Sequence, residues 1–339
     1  MNSKNKMPLI DLHLHLDGSL SFASARKLAA MQGLAELPEE ELRKLMQVPE
    51  GCTDLNEYLT KFGYAGSLLQ TAEALTASVR TLRRELAEAG VIYAEIRFAP
   101  QKHCTGGLTQ RAVVEAAAAG LEGEGSPAQL ILCCMRGADN EPENLETIRL
   151  AKEFLGRGVC AADLAGAEGL FPTENFRSLF DLSRELEVPC TIHAGEAAGA
   201  DSVSCALDFG ARRIGHGVRA LEDPAAVERL SREKIPLELC PTSNLNTQLT
   251  LRGTALTALK QYPIRELLAA GVRATVNTDN LTVSNTDLAG EFAALTAALN
   301  LTAAEQKQLL CNSAEAAFAD EVVKQHLRNT IDAYFAETI

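Results

Sequence analysis

Along the chain, short apolar runs rich in Val, Ile and Leu alternate with longer segments whose apolar residues recur at helical spacing. Eight runs stand out, at residues 9–14, 91–98, 129–134, 159–164, 188–193, 213–215, 236–239 and 272–277. From the third onward the gaps between them each leave room for one crossover helix. Eight strands separated by helices predict an α/β fold, a (β/α)8 TIM barrel. A doubly wound sheet is the competing arrangement, and no Gly-x-Gly-x-x-Gly turn supports it.

The rhythm breaks once. Residues 20–90 hold no strand pattern, only helical ones at 23–31, 39–47, 55–69 and 72–89. They predict a helical insertion after the first strand, lying over the barrel mouth, where it could cover a ligand and exclude water. Residues 285–339 read as extra C-terminal helices. With no linker, low-complexity tract or repeat beyond the βα rhythm, residues 1–339 are expected to form a single domain.

Composition narrows the picture. Hydrophobic residues make up 46% of 339, ample for a core, yet no stretch of eighteen uninterrupted apolar residues suggests a membrane span. The opening segment Met-Asn-Ser-Lys-Asn-Lys-Met-Pro has no apolar h-region, and the nine cysteines form no Cys-x-x-Cys pair. Reduced thiols and a cytoplasmic location are the expectation. The 32 basic and 45 acidic residues give a net charge of -13, which offers no footprint for nucleic acid or an anionic membrane. A small neutral or cationic ligand fits better.

Four of the six histidines stand at or near strand ends: His13, His15, His193 and His216. Parallel barrels carry their chemistry at the C-terminal ends of strands, so this placement points to a metal site. His13 and His15, two residues apart on one strand, face the same side. His193 ends the fifth strand, and Asp279 ends the eighth, which neighbours the first in a closed barrel. Three imidazoles and a carboxylate suit Zn²⁺, although Fe²⁺ and other divalent ions also bind such a set. His216, within Gly215-His216-Gly217, is placed to orient a water. Glu196, three residues after His193, is assigned to proton transfer, because a carboxyl screened from water stays protonated near neutral pH. His103 and His326 read as solvated surface residues.

Six segments taken together resemble the adenosine deaminase family: His13-Leu14-His15-Leu16-Asp17-Gly18, Asp163-Leu164-Ala165-Gly166, His193-Ala194-Gly195-Glu196, Gly215-His216-Gly217, Cys240-Pro241-Thr242-Ser243-Asn244 and Asn277-Thr278-Asp279. The resemblance runs from about Pro8 to the C-terminal helices. It implies a zinc-dependent hydrolase of adenosine and 2′-deoxyadenosine, with one Zn²⁺ held by His13, His15, His193 and Asp279. It further implies that Glu196 protonates purine N1 while His216 and Asp279 orient the hydroxide that attacks C6 and expels ammonia. By the same resemblance His15, Asp17, Gly166 and Asn280 bind the purine nucleoside, with Gly166 N–H at N3 and Asp17 at the ribose 5′-hydroxyl.

Two positions depart from the family pattern. Asn280 stands where many members carry a second Asp at purine N7, an acceptor that an Asn amide meets with N–H groups outright. Ala167 follows Gly166 where an acidic residue is frequent. Other readings remain at this point: a deaminase of free adenine or of an N6- or 5′-modified adenosine, a nucleoside-binding protein without catalysis, and a two-metal hydrolase. The last is unsupported by any lysine at a strand end.

Overall fold

The computed structural model describes residues 6–338; residues 1–5, part of the segment weighed above as a leader, and residue 339 lie outside the described residues. Eight parallel strands follow one another in chain order: β1 (Leu9–His15), β2 (Val91–Phe98), β3 (Ala128–Met135), β4 (Val159–Ala165), β5 (Thr191–Ala194), β6 (Arg213–His216), β7 (Leu237–Leu239) and β8 (Ala274–Val276). β1 to β4 form one sheet and β5 to β8 a second. Single parallel bridges join the sheets at both seams, Ala162 with Cys190 and Leu14 with Asp279. Across the second seam His15 N–H donates to the Asp279 carbonyl, and Asp279 N–H to the His13 carbonyl, each at 2.8 Å. The strands therefore run round a ring in the expected (β/α)8 order, with the ladder thinned at two seams.

Strand ends differ from expectation by one to three residues, for local reasons. β5 begins at Thr191 rather than 188 because Pro189 has no N–H for the ladder, and β7 begins just after Pro236 for the same reason. A hairpin of Thr250–Leu251 and Thr254–Ala255 was not foreseen; two residues per strand are too few to show a period of two.

Between β1 and β2 lie α1 (Phe22–Met31), α2 (Glu39–Met46), α3 (Leu55–Leu59), α4 (Gly63–Leu68) and α5 (Ala72–Ala89). Side-chain caps set where they begin: Ser21 for α1, Asp54 for α3 and Thr71 for α5 each accept an N–H of the first turn. The single helix expected over 55–69 is broken by a 3₁₀ turn, Thr60–Phe62, leading into Gly63, where helix propensity is low. Crossover helices follow as α6 (Gln110–Ala119), α7 (Glu141–Phe154), α8 (Arg177–Glu185), α9 (Ala200–Asp208), α10 (Pro224–Glu233), α11 (Pro241–Asn246) and α12 (Ile264–Ala269). The chain closes with α13 (Leu288–Leu299), α14 (Ala303–Ala316) and α15 (Glu321–Thr338), of which α14 packs on β1, β8 and α15. Among the described residues no helix is long and apolar enough to cross a membrane.

Alternation along the strands separates core from chemistry. Leu12 and Leu14 join the main apolar cluster, while Asp11, His13 and His15 occupy the alternate positions of β1. Glu95 and Arg97 repeat this on β2 and Glu238 on β7, all fully buried among apolar neighbours.

Candidate active site

A cavity of about 590 Å³ opens at the C-terminal ends of the strands. Leu55, Tyr58, Leu59 and Phe62 of the inserted helical stretch line it, as do His15, Asp17, Gly166, His193, Glu196, His216, Asp279 and Asn280. His13 is fully buried beside them.

The imidazoles are oriented by carboxylates on their far sides. His13 Nδ1 lies 2.7 Å from Glu238 Oε2, and His193 Nδ1 lies 3.0 Å from Asp163 Oδ2. With each carboxylate accepting a hydrogen bond from Nδ1–H, the Nε2 lone pair is left facing the cavity, as metal-ligating histidines require. His13 Nε2 is buried with no hydrogen-bond partner, and it faces Asp279 Oδ1 at 3.4 Å. His15 Nε2 lies 3.4 Å from the same oxygen and 3.2 Å from His193 Nε2. Donor atoms of His13, His193, His216 and Asp279 all lie within 4.8 Å of one another. An orphaned buried nitrogen beside the Nε2 atoms of His15 and His193 and the Asp279 carboxylate fits a divalent cation of borderline softness.

Asp279 has φ +61, a left-handed conformation that Asp tolerates better than most residues. Ser243 Oγ donates to its Oδ2 at 2.6 Å. Burial pushes the Asp279 carboxyl upward, but the hydrogen bond from His13 and the imidazoles of His15 and His216 around it outweigh that and hold it well below the carboxylate range. His216 is a donor rather than an acceptor toward the cavity. Tyr262 hydroxyl donates to Asn244 Oδ1 at 2.8 Å, and Asn244 Nδ2 sits 3.0 Å from His216 Nδ1. With Nδ1 accepting, the proton resides on Nε2, 3.6 Å from Glu196 Oε2. Burial above all holds His216 well below the usual imidazole value, which favours the neutral ring.

Glu196 is 5% exposed. Burial raises its carboxyl well above the ordinary value; the charges of Asp279 and Glu168 add to that, against Arg136. Both effects favour the protonated carboxyl over the carboxylate. Burial likewise lifts Asp17 to about 6, opposed by main-chain hydrogen bonds at Asp17 and Gly18. Asn280 is fully buried, donates from Nδ2 to the Tyr58 hydroxyl at 2.9 Å, and has Oδ1 without a partner. Oδ1 crowds Gly18, where an added Cβ would lie 1.7 Å away, so only glycine permits this approach.

These side chains converge on one cavity in a chain whose sequence and fold have close counterparts. The family model described as Adenosine deaminase matches residues 8–334. The chain belongs to the adenosine deaminase family. A curated adenosine deaminase of Haemophilus ducreyi is 48% identical, covering 98% of this chain and 97% of its own length. One of Enterococcus faecalis is 40% identical, covering 96% of each. Among solved structures, the adenine deaminase of Arthrobacter aurescens superposes with a TM-score of 0.85 at 29% identity, over 98% of this chain and all of that one. As a member of the adenosine deaminase family the chain is a hydrolase of carbon–nitrogen bonds.

One expectation fails. His103 is fully buried in the 3₁₀ turn Pro100–His103, lines the cavity, and is lowered to about 4 by burial, with the Leu69 carbonyl opposing. The loop folds inward because Gln70 Oε1 accepts from Thr105 N–H at 3.0 Å and Gly106 lies against the Gln70 main chain.

Several working residues escaped sequence reasoning. Arg97 donates to Asp163 at 2.9 Å and to Glu238 at 2.8 Å; Arg213 donates to Glu238 at 2.6 Å and pairs with Glu95 at 2.6 Å. The signal was present as charges inside apolar strands, at Glu95-Ile96-Arg97 and Leu237-Glu238-Leu239.

Proposed function

We propose that the chain deaminates adenosine and 2′-deoxyadenosine hydrolytically, giving inosine or 2′-deoxyinosine and ammonia. The carrying observation is Glu196: a buried carboxyl, its titration pushed upward by burial, in the same cavity as the His and Asp cluster. Glu196 gives its proton to purine N1, which draws electrons from C6 and opens it to attack by water. The water oxygen bonds to C6 and the C6–N6 bond breaks. Of the two water protons, one returns to Glu196 and the other leaves with the amino group as ammonia.

The metal ligands we assign are His13, His15, His193 and Asp279, with one Zn²⁺ per chain. Although His216 lies within the same cluster, we assign it to the attacking water rather than to the metal, because Asn244 Nδ2 at its Nδ1 favours the tautomer with the proton on Nε2. Zn²⁺ bound there supplies Lewis acidity that brings a water's pKa toward neutrality. Asp279 is ionised and takes a hydrogen bond from the same water. Gly166 and Asn280, which also line the cavity, are assigned to the purine. The nine cysteines, all free thiols, accord with a cytoplasmic enzyme.

The primary test incubates zinc-loaded protein with adenosine and follows inosine formation by ultraviolet absorbance. Turnover is expected, lost after chelation and restored by Zn²⁺. No turnover with metal confirmed bound would refute the proposal.

Asp17 is assigned to the ribose 5′-hydroxyl. Asp17→Ala should lower kcat/KM for adenosine about 10- to 100-fold, the worth of a hydrogen bond to a charged group. Because burial lifts Asp17 to about 6, the charged acceptor is present above that pH, and KM for adenosine should rise as pH falls through it. Faster turnover of free adenine than of adenosine by the parent protein would refute the assignment.

A further inference from the structure

Glu168 does not line the cavity and takes no part in the chemistry above, yet it is 1% exposed and heavily bonded. Its Oε1 accepts from Gly195 N–H at 2.8 Å and from Ser202 Oγ at 2.5 Å. Its Oε2 accepts from the N–H groups of Glu196, Ala197 and Ala198 at 3.0, 2.7 and 2.9 Å. Four consecutive main-chain donors thus converge on one carboxylate. Such a concave run of N–H groups is an anion site, and here a side chain of the same molecule fills it. Gly195 at φ +70 makes the run possible: a Cβ there would meet Val203 at 2.6 Å. The other side of the turn is held by Arg136, whose Nη2 donates to the His193 carbonyl at 2.6 Å.

We infer that Glu168 is a positioning residue for Glu196, its carboxylate fixing the main chain at 195–198 so that the proton donor meets the purine at one place. The inference rests on Glu196 as the proton donor. A carboxylate buried only for stability needs partners anywhere; this one takes the N–H of Glu196 itself and both its neighbours. Without the anion, four donors face one another, those of Gly195 and Glu196 buried, and the turn must open to find new acceptors. A shift of 1 Å at the donor carries a cost on the order of 10²-fold in rate.

The test compares Glu168→Gln, which keeps the shape but offers one acceptor oxygen, with Glu168→Ala and Glu196→Gln. Glu168→Gln should lose about 10- to 100-fold in kcat on adenosine, with KM within about threefold of the parent. Glu168→Ala should lose more, and added formate or acetate, filling the vacated nest, should restore at least about tenfold of kcat. The same anions should do nothing for the parent or for Glu196→Gln. A role confined to stability would move the melting temperature without this split or this rescue. A folded Glu168→Gln with parental kcat overturns the inference. So does a full loss in Glu168→Ala that anions leave untouched. The intact parent supplies a check that needs no variant: amides 195–198 should be strongly protected from hydrogen exchange, and fast exchange there overturns the inference. Parental activity in Glu196→Gln would instead overturn the proton-donor assignment, so the two failures are distinct.

Discussion

Replacing Glu196 by Gln should lower kcat on adenosine by about 10²- to 10⁴-fold, the usual contribution of a positioned general acid. The amide has the same size and still donates a hydrogen bond, so the Kd of a non-reacting purine nucleoside should stay within about threefold. The proton at N1 is what disappears. In the parent, kcat/KM should fall at alkaline pH with one proton lost, because the active form is the acid and burial places its titration well above the ordinary range. Glu196→Gln should lack that fall. Stability moves the other way. A carboxyl whose folded pKa is raised is most at ease below its unfolded pKa, about 4.3, and its contribution is lost as pH climbs toward the folded value. Glu196→Gln should therefore melt higher than the parent at pH 7 and match it near pH 4. Melting curves at the two pH values check this; a variant less stable at pH 7 would mean that the carboxyl is not held neutral. Activity here is maintained against stability, as is common for groups shielded from water at reaction centres.

The ring of strands was legible because each strand is a short apolar run with a helical stretch behind it, and a parallel barrel leaves no other use for eight such runs. The cluster of histidines and Asp279 was legible because its members sit at or near the ends of those runs. Strand limits were less so: Pro189 and Pro236 shorten β5 and β7 at one end, a local chemistry that hydrophobicity does not register. His103 was misplaced for a different reason. A histidine among polar loop residues reads as solvated, and only the fold shows Gln70 drawing that loop over the cavity. The second layer was hardest to see, since Glu238, Glu95, Arg97, Arg213 and Glu168 acquire meaning only through partners far away in sequence. Glu238, for example, meets His13 across 225 positions. The change at Asn280 also reads differently in space. Its amide N–H, expected for N7, is directed to Tyr58, so the inserted helix α3 shares in setting that side chain.

Glu238→Ala should be the most destabilising substitution in the molecule's polar interior. The carboxylate is fully buried and takes four donors: His13 at 2.7 Å, Arg97 at 2.8 Å, Arg213 at 2.6 Å and Thr191 at 2.9 Å. Burial disfavours its charge, yet Arg97 and Arg213 outweigh that and hold it well below the carboxylate range. Removing one member of a buried ion pair costs about 3–5 kcal/mol, because the partner charge stays behind in a medium that solvates it poorly. Here two guanidiniums are left, with Asp163 and Glu95 as their remaining anions. At about 2.1 cal/mol/K per residue for the unfolding entropy, that loss lowers Tm by roughly 4–7 °C. A second effect follows from His13. Without Glu238 its Nδ1–H loses the acceptor that fixes the tautomer, so the Nε2 lone pair is no longer guaranteed to face the cavity. Metal affinity should then drop about 10- to 100-fold, read by competition with a chromogenic chelator. Glu238→Gln separates the two effects. Its amide oxygen can still accept from His13, so it should recover part of the metal affinity while the arginines remain undercompensated and Tm stays low. If Glu238→Gln instead restored stability and left metal binding weak, the arginine pairs would not be what this carboxylate is for, and its principal role would be as the partner of His13.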